Sequence, residues 1–331
     1  MVIHLNKDIQ LHEAKEIADE LKAILIEKDP IILVTPSKLR ELPKHLQSKV
    51  SLAVAVPNDI QLASRKYLDE VRPIKFSNFE LGGNSNSSVM ISGPCSVETE
   101  AQIEEAAQFC VQQGVKVLRA GCYKPRTSPY SFQGLGLEGL KLLAKMREKY
   151  GLHIITEVRD SSHIEEVIEY VDIVQIGAKA MYDQGILRRC GKARKPILLK
   201  RGFGSTLQEF VQAAEFILSG GNEQVILCER GIRTFETNTR FTLDLCGVAF
   251  LKEHTNLPII LDPSHAMGYA YGVADLSRAC LAMGVEGLLI ESHPRPKEAW
   301  SDAAQQLDFN QFAELMASLK PVANAVGRQL V

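Results

Sequence analysis

From residue 88 onward the chain repeats one pattern: a short apolar run rich in valine and isoleucine, then a longer stretch with apolar residues at helical spacing. The apolar runs are SVMIS (88–92), VKVLRA (115–120), HIITE (153–157), DIVQI (172–176), PILLK (196–200), QVILC (224–228), PIILD (258–262) and GLLIE (287–291). Helical patterns fall between them, among others at 98–112, 138–149, 206–218, 237–253 and 273–283. Eight β-then-α units over roughly 240 residues match the size and rhythm of an α/β fold of the (β/α)8 TIM barrel type. A doubly wound open sheet is the competing architecture. The number of repeats, and the lack of a G-x-G-x-x-G turn after the first strand, favour the barrel.

Residues 1–80 show a different pattern. VIHL (2–5) reads as a strand, and 8–28 as an amphipathic helix with Leu11, Ala14, Ile17, Leu21, Ile24 and Leu25 on one face. PIILVTP (30–36) and SLAVAVP (51–57) read as two further strands, then come a short helix near 59–69 and a last strand near VRPIKF (71–76). This mixture suggests a small α+β sandwich resembling a ferredoxin-like fold. It holds no cluster of catalytic side chains, which points to a regulatory or packing role. FELGGNSNSS (79–88) has the Gly, Asn and Ser content of a linker. The expected division is therefore 1–82 for the small domain and 83–331 for the barrel.

Composition narrows the function without naming it. At 331 residues with 45% hydrophobic and 24% charged content, the chain is an ordinary globular protein. A net charge of −2 gives no global field for nucleic acid or membrane, so any anion must be bound by a local cluster. No apolar run approaches the ~18 residues of a membrane helix, and the first residues lack the basic-then-apolar layout of a signal peptide. Seven widely spaced cysteines with no C-x-x-C pair argue against a disulfide framework and for a reducing cytoplasm.

The candidate chemistry lies just beyond the strands. The first leads to Cys95, the second to Arg119 and Lys124, the third ends at Glu157, and the fourth leads to Lys179. The fifth ends at Lys200 and Arg201, the sixth gives Glu229 and Arg230, the seventh Asp262 and His265, the eighth Glu291 and His293. In a barrel this end carries the active site. Taken singly each residue reads as a helix cap or surface group; the set reads as one site. Residues 119–136, RAGCYKPRTSPYSFQGLG, place Arg119, Lys124 and Arg126 in a loop stiffened by Pro125 and Pro129 and ending in Gly134 and Gly136. Alone, this would read equally well as a solvated basic loop. Together Arg119, Lys124, Arg126, Lys179, Lys200 and Arg230 repel one another unless anions fill the site, so the expected ligands are phosphorylated small molecules.

Lys124 could polarise a carbonyl or relay a proton, and Lys200 is the candidate for the alternative of Schiff-base chemistry. Cys95, His265, Glu291 and Asp302 offer a thiolate, an imidazole and two carboxylates, a donor set for Mn, Fe, Co or Zn. No spacing announces such a site: Cys95 reads as well as a small buried residue, and Asp302 as a helix cap. His293, in an HPRP turn, reads as a fifth candidate or as structural. The six other cysteines, Trp300 and a helix near 308–319 are read as packing.

The motifs GPCSVE (93–98), KVLRAGCYKPRTSPYSFQGLG (116–136), LLKRGF (198–203), ILCERGIRTFE (226–236), ILDPSHA (260–266) and ESHP with SDAAQ (291–305) resemble 3-deoxy-D-arabino-heptulosonate 7-phosphate (DAHP) synthase. The likeness is to its type I branch with a short N-terminal ferredoxin-like domain. KPRT is the distinguishing element, since the sister 3-deoxy-D-manno-octulosonate 8-phosphate synthase carries an N-R-S-type segment there. The resemblance implies a transferase that condenses phosphoenolpyruvate with erythrose 4-phosphate, with C–O cleavage, at the first step of the shikimate pathway. It implies Cys95, His265, Glu291 and Asp302 as divalent-metal ligands. Arg119, Lys124, Lys179, Lys200 and Arg230 would hold phosphoenolpyruvate, and Arg126 and Thr127 the aldehyde phosphate, with Lys124, Arg119 and His265 closest to the chemistry.

The resemblance also implies a homotetramer and feedback inhibition by an aromatic amino acid at the small domain. Two departures stand out. The family usually reads GAR-N where this chain has GAKAM, so Lys179 replaces an arginine and its planar grip on phosphate. Many relatives read S-x-G-R-R where this chain has AMGYAYG (266–272), with Tyr269 and Tyr271. Both leave open a related condensation with another sugar, or a homologue that binds without turnover.

Overall fold

The computed structural model describes residues 1–124 and 128–331. Its first strand, β1 (Val2–Leu5), sends alternate side chains to two cores. Ile3 and Leu5 join Ala14, Ile17 and Ala18 of α1 (Leu11–Leu21), while Val2 packs with the barrel. β2 (Ile24–Ile26), β3 (Ile32–Val34) and β4 (Val50–Val54) complete an antiparallel sheet in the order β2-β3-β1-β4. This is the strand order of a ferredoxin-like sheet, with the second crossover helix reduced to a 3-10 segment, Lys44–Lys49.

Three expectations for this region are corrected. The helix over 8–28 stops at Leu21 because Lys22 turns into left-handed backbone (φ 52°), and Ile24 and Leu25 become strand residues. No helix forms over 59–69, where backbone groups bond instead to the barrel: Ala63 N–H donates to Glu215, and the Leu62 and Ser64 carbonyls accept from the Asn256 amide. Residues 71–76 do not extend the small sheet. β5 (Ile74–Lys75) pairs with β6 (Glu80–Leu81), drawn from the expected linker, and the hairpin's Ile74, Phe79 and Leu81 fill the barrel floor.

The barrel strands are β7 (Ser87–Gly93), β8 (Val117–Arg119), β9 (His153–Val158), β10 (Ile173–Ile176), β11 (Ile197–Lys200), β12 (Val225–Glu229), β13 (Ile259–Leu261) and β14 (Gly287–Glu291). Every neighbouring pair is parallel, and β14 returns to β7 to close the ring. A short β15 (Gln329–Leu330) runs beside the start of β7. The surrounding helices are α2 (Glu100–Gln112), α3 (Leu137–Tyr150), α4 (Ile164–Tyr170), α5 (Gln184–Lys192), α6 (Leu207–Ser219), α7 (Leu245–His254), α8 (Pro263–Met267), α9 (Ala270–Ala282) and α10 (Phe309–Ala325). Thr99, Asp183, Thr206, Asp244, Asp262 and Asp308 each accept a backbone N–H at a helix start. The Asp244 cap is why the expected helix over 237–253 begins only at Leu245.

Val89, Ile91, Val117, Ile155, Ile173, Leu198, Ile226, Cys228, Ile260 and Leu289 fill the barrel interior above the hairpin. All seven cysteines are free; Cys246 is exposed rather than packed, because it lies on the outer face of α7. Trp300 is half-exposed and meets Phe132 edge-on at 5.0 Å, so it does not pack in the barrel wall. Among the described residues, no helix is long and apolar enough to cross a membrane.

Candidate active site

Two residues beyond an interior apolar residue, the strand pleat returns a side chain to the same face. Here that step changes the chemistry. Above Val117, Ile155, Ile173, Leu198, Cys228, Ile260 and Leu289 stand Arg119, Glu157, Gln175, Lys200, Arg230, Asp262 and Glu291. The barrel thus has an apolar floor and a polar top, and the top opens into a cavity of about 460 Å³. Lys124, Glu157, Lys179, Lys200, Arg230, Arg233, Arg240, His265 and Asp302 line it, with Phe203 and Phe241 on one wall. A larger cavity of about 760 Å³ lies between residues 56–69 and α7 and includes none of these strand-end groups.

The carboxylates at the top are paired. Arg119 Nη1 donates to Glu291 Oε1 (2.5 Å), and its Nε to Gln175 Oε1 (3.3 Å), while Gln175 Nε2 donates to Glu157 Oε2 (2.6 Å). Lys200 Nζ donates to Asp262 Oδ2 (2.6 Å), which also lies 2.8 Å from His265 Nδ1. Burial alone would raise the Asp262 carboxyl, but His265 and Lys200 hold it well below the usual carboxylate range. Burial dominates at His265 and lowers its pKa, against the opposing pull of Asp262 and Glu291. Arg230 is different. It stacks over Phe241 (4.2 Å to the ring centre), its Nη1 is buried with no hydrogen-bond partner among the described residues, and burial lowers its pKa.

Cys95, Glu291 and Asp302 bring a sulfur and two carboxylate oxygens within 4.8 Å of one another, a group able to hold a metal ion. Cys95 Sγ is 3.4 Å from Asp302 Oδ2, and His265 Nε2 is 3.4 Å from Glu291 Oε1. Burial pushes the Cys95 thiol up to about 12, with Glu291 and Asp302 adding to the effect. A cation at this position would reverse that and favour the thiolate. Lys124 Nζ donates to Cys95 Sγ (2.9 Å) and to Cys95 O (3.0 Å). Burial would strip its proton, yet Cys95 and the carboxylates of Glu291 and Glu157 keep the ammonium above its ordinary range.

Of the residues singled out in the sequence, Cys95, Arg119, Lys124, Lys179, Lys200, Arg230, His265, Glu291 and Asp302 come together around this cavity. Arg126 and Thr127 lie outside the described residues. Arg201 and Glu229 pair with each other at 2.9 Å, and Arg201 also reaches Asp244 at 2.8 Å; one position out of step with Lys200 and Arg230, they turn to the outside of the barrel. His293 faces Glu98 instead of the cavity. Gln175, Gln305, Arg233 and Arg240 were not foreseen. Gln175 left a signal as the one amide inside an otherwise apolar run, and Arg233 and Gln305 lie in the family-like motifs but were given no role; Gln305 (2.6 Å to Glu291 Oε2) ends a 3-10 turn, and Arg240 (2.6 Å to Gln305 Oε1) comes from an irregular loop.

The family model of the DAHP synthetase I family matches residues 72–327. A phospho-2-dehydro-3-deoxyheptonate aldolase of Thermotoga maritima is 45% identical over 278 residues, covering 84% of this chain and 82% of that protein. A 2-dehydro-3-deoxyphosphooctonate aldolase of Francisella tularensis subsp. holarctica is 30% identical over 274 residues, 77% of this chain and 98% of that one. Among solved structures, the Thermotoga maritima phospho-2-dehydro-3-deoxyheptonate aldolase (DAHP synthase) superposes with a TM-score of 0.81 at 38% identity, covering 100% of this chain and 99% of the other. With a family match over residues 72–327, which takes in all eight barrel strands, this chain belongs to the DAHP synthetase I family.

Proposed function

We propose that the cavity binds phosphoenolpyruvate and erythrose 4-phosphate and condenses them to DAHP, releasing phosphate. The observation that carries this reading is Arg230, a buried guanidinium whose Nη1 lacks a hydrogen-bond partner among the described residues. A buried charge so placed calls for an anion. With Lys124, Lys179 and Lys200 on the same cavity, the phosphate and carboxylate of phosphoenolpyruvate fit it. Arg126 and Thr127 are assigned to the aldehyde phosphate by resemblance.

Cys95, Glu291 and Asp302, with His265 Nε2 standing 3.4 Å from Glu291 Oε1 just outside their cluster, offer a donor set that fits a divalent ion of borderline softness, Mn, Fe, Co or Zn. Such an ion would supply Lewis-acid polarisation of the aldehyde carbonyl. Asp262 Oδ2 lies 2.8 Å from His265 Nδ1, which turns Nε2 toward Glu291 and leaves that nitrogen for ligation.

In the reaction, C3 of the enol forms the bond to the aldehyde carbon, and the carbonyl pair moves to its oxygen. The Lys124 ammonium, buried at the cavity edge, supplies the proton there. Positive character at C2 is balanced by Glu157, which lines the same cavity. Water adds to C2 and passes one proton to the phosphate group; the C2–O bond then breaks, phosphate leaves with the bonding pair among the cations, and the C2 hydroxyl proton returns to Lys124 as the ketone forms. Lys179, in place of the usual arginine, keeps the charge of the phosphate grip. Tyr269 and Tyr271 stack on each other at 5.9 Å on the surface.

Phosphate release from phosphoenolpyruvate tests the reading. Turnover with erythrose 4-phosphate, abolished by a chelator and restored by Mn, is expected; activity with arabinose 5-phosphate instead would reassign the substrate. Turnover that ignores chelators and is trapped by borohydride would mean Schiff-base chemistry at Lys200. An aromatic amino acid effector at the small unit and a homotetramer are part of the same proposal, tested by inhibition assays and sedimentation. The seven unpaired cysteines support a reducing, cytoplasmic setting.

A further inference from the structure

Two of the four proposed metal ligands, Cys95 and Asp302, stand on loops, whereas Glu291 ends β14 and His265 sits in α8 beside its Asp262 cap. The loop carrying Asp302 is closed at its base: His293 N–H donates to Leu307 O (2.9 Å) and Leu307 N–H to Glu291 O (2.9 Å). At its far side Asp302 adopts left-handed backbone (φ 47°), uncommon outside glycine though more accessible to aspartate than to most residues, and neighbouring contacts hold the loop in that turn.

The enforcing contacts come from the loop that carries Cys95. Glu98 uses both oxygens: Oε1 accepts from Trp300 N–H (2.8 Å) and the Ser96 hydroxyl (3.4 Å), and Oε2 lies 3.3 Å from His293 Nε2. His293 Nδ1 already accepts Arg295 N–H (2.9 Å), which places the ring proton on Nε2 and makes His293 the donor. Ser96 and Ser301, the chain neighbours of the two ligands, join their hydroxyls at 2.8 Å. Gln306 ties the pair again, accepting Cys95 N–H (2.9 Å) and donating to Ser301 O (2.9 Å). Ser96, Glu98, His293, Ser301 and Gln306 are all buried, and none lines the catalytic cavity.

We propose that Glu98 is a positioning residue for the metal centre: it locks the loop of residues 292–307 onto that of residues 93–98, so that Cys95 and Asp302 form a prearranged ligand pair. The proposal rests on the metal reading above. The barrel wall gives Glu291 and His265 their rigidity; the Glu98 latch gives the same to the loop ligands. Ion binding then costs no loop ordering, and affinity depends on a carboxylate that touches neither ion nor substrate.

The test is titration of the full-length, chelator-stripped protein with Co²⁺, reading the thiolate-to-cobalt charge-transfer absorption, beside melting of the metal-free protein. Glu98→Gln turns an amide N–H₂ toward the His293 N–H or gives up the Trp300 contact, and the dissociation constant for Co²⁺ is expected to rise about 10–100-fold. Ser301→Ala, a milder cut in the same latch, should raise it several-fold and serves if the first variant does not fold. Glu286→Gln is the control: that buried carboxylate accepts from Ile259 N–H and Arg328 far from the site, so its loss should lower the melting temperature and leave the constant unchanged. Wild-type affinity in both latch variants, or an equal loss in the control, overturns the proposal. A wild-type protein with no charge-transfer band, or with a band that survives Cys95→Ser, would overturn the metal reading and this inference with it.

Discussion

Replacing Asp262 with asparagine would remove one negative charge from the middle of the site and keep its shape. Oδ1 accepts His265 N–H (2.9 Å) at the start of α8, and the amide oxygen can keep that cap. Oδ2 serves Lys200 Nζ (2.6 Å) and His265 Nδ1 (2.8 Å), and there the variant would present an N–H₂ to groups that need an acceptor. Asp262 is fully buried and Lys200 nearly so, so the ammonium left behind reaches water only through the cavity it lines. Removing one member of a buried pair costs about 3–5 kcal/mol, a large share of a typical stability of about 5–15 kcal/mol.

The same change reverses the histidine. With an amide donating to Nδ1, the ring proton moves to Nε2, the nitrogen facing Glu291, and metal affinity should fall about 10–100-fold. Urea unfolding of the metal-free protein and calorimetric titration with Mn²⁺ read the two effects separately. A stability loss below about 1 kcal/mol together with unchanged Mn²⁺ affinity would refute the reasoning, because Asp262 would then neither compensate Lys200 nor orient His265.

Two further outcomes are expected. Glu215 on α6 accepts Ala63 N–H (2.7 Å), and burial lifts its pKa to about 7 from 4.5. The native state therefore holds the extra proton between these values, so this contribution to stability is complete below about pH 4.5 and is lost as pH rises through about 7. Thermal melts from pH 5 to 8 should show the decline, and Glu215→Gln should flatten it. Gly134 has φ +93°, and an added Cβ would stand 2.0 Å from Cys122 O, so Gly134→Ala must displace the neck where Lys124 N–H meets Gln133 O. A misplacement of this kind typically costs about 100-fold, so kcat/KM should drop by that order while circular dichroism stays unchanged.

The barrel was legible because its strands are buried on both faces and so appear as continuous Val- and Ile-rich runs, such as PILLK and GLLIE. Three strands of the small sheet, in VIHL, PIILVTP and SLAVAVP, were legible in the same way, but β2 was hidden in the apparent helix over 8–28. Its borders were not. Residues 59–69 carry a helical pattern but lose their backbone groups to Glu215 and Asn256, which are distant in the chain. FELGG looks like a linker, yet Phe79 and Leu81 close the barrel floor.

By itself the sequence determined which residues stand at strand ends, because that depends only on local apolar periodicity and on the few residues next to each run. It could not determine which of them share a face. Arg201 and Glu229 sit one residue from Lys200 and Arg230, and the pleat sends them to the other side, where they neutralise each other. Nor could spacing place Cys95 beside Asp302, joined through Ser96, Glu98 and Gln306. Hydrogen bonds and Coulomb forces act over a few ångströms of space, and only the closing of the barrel brings these segments within that range.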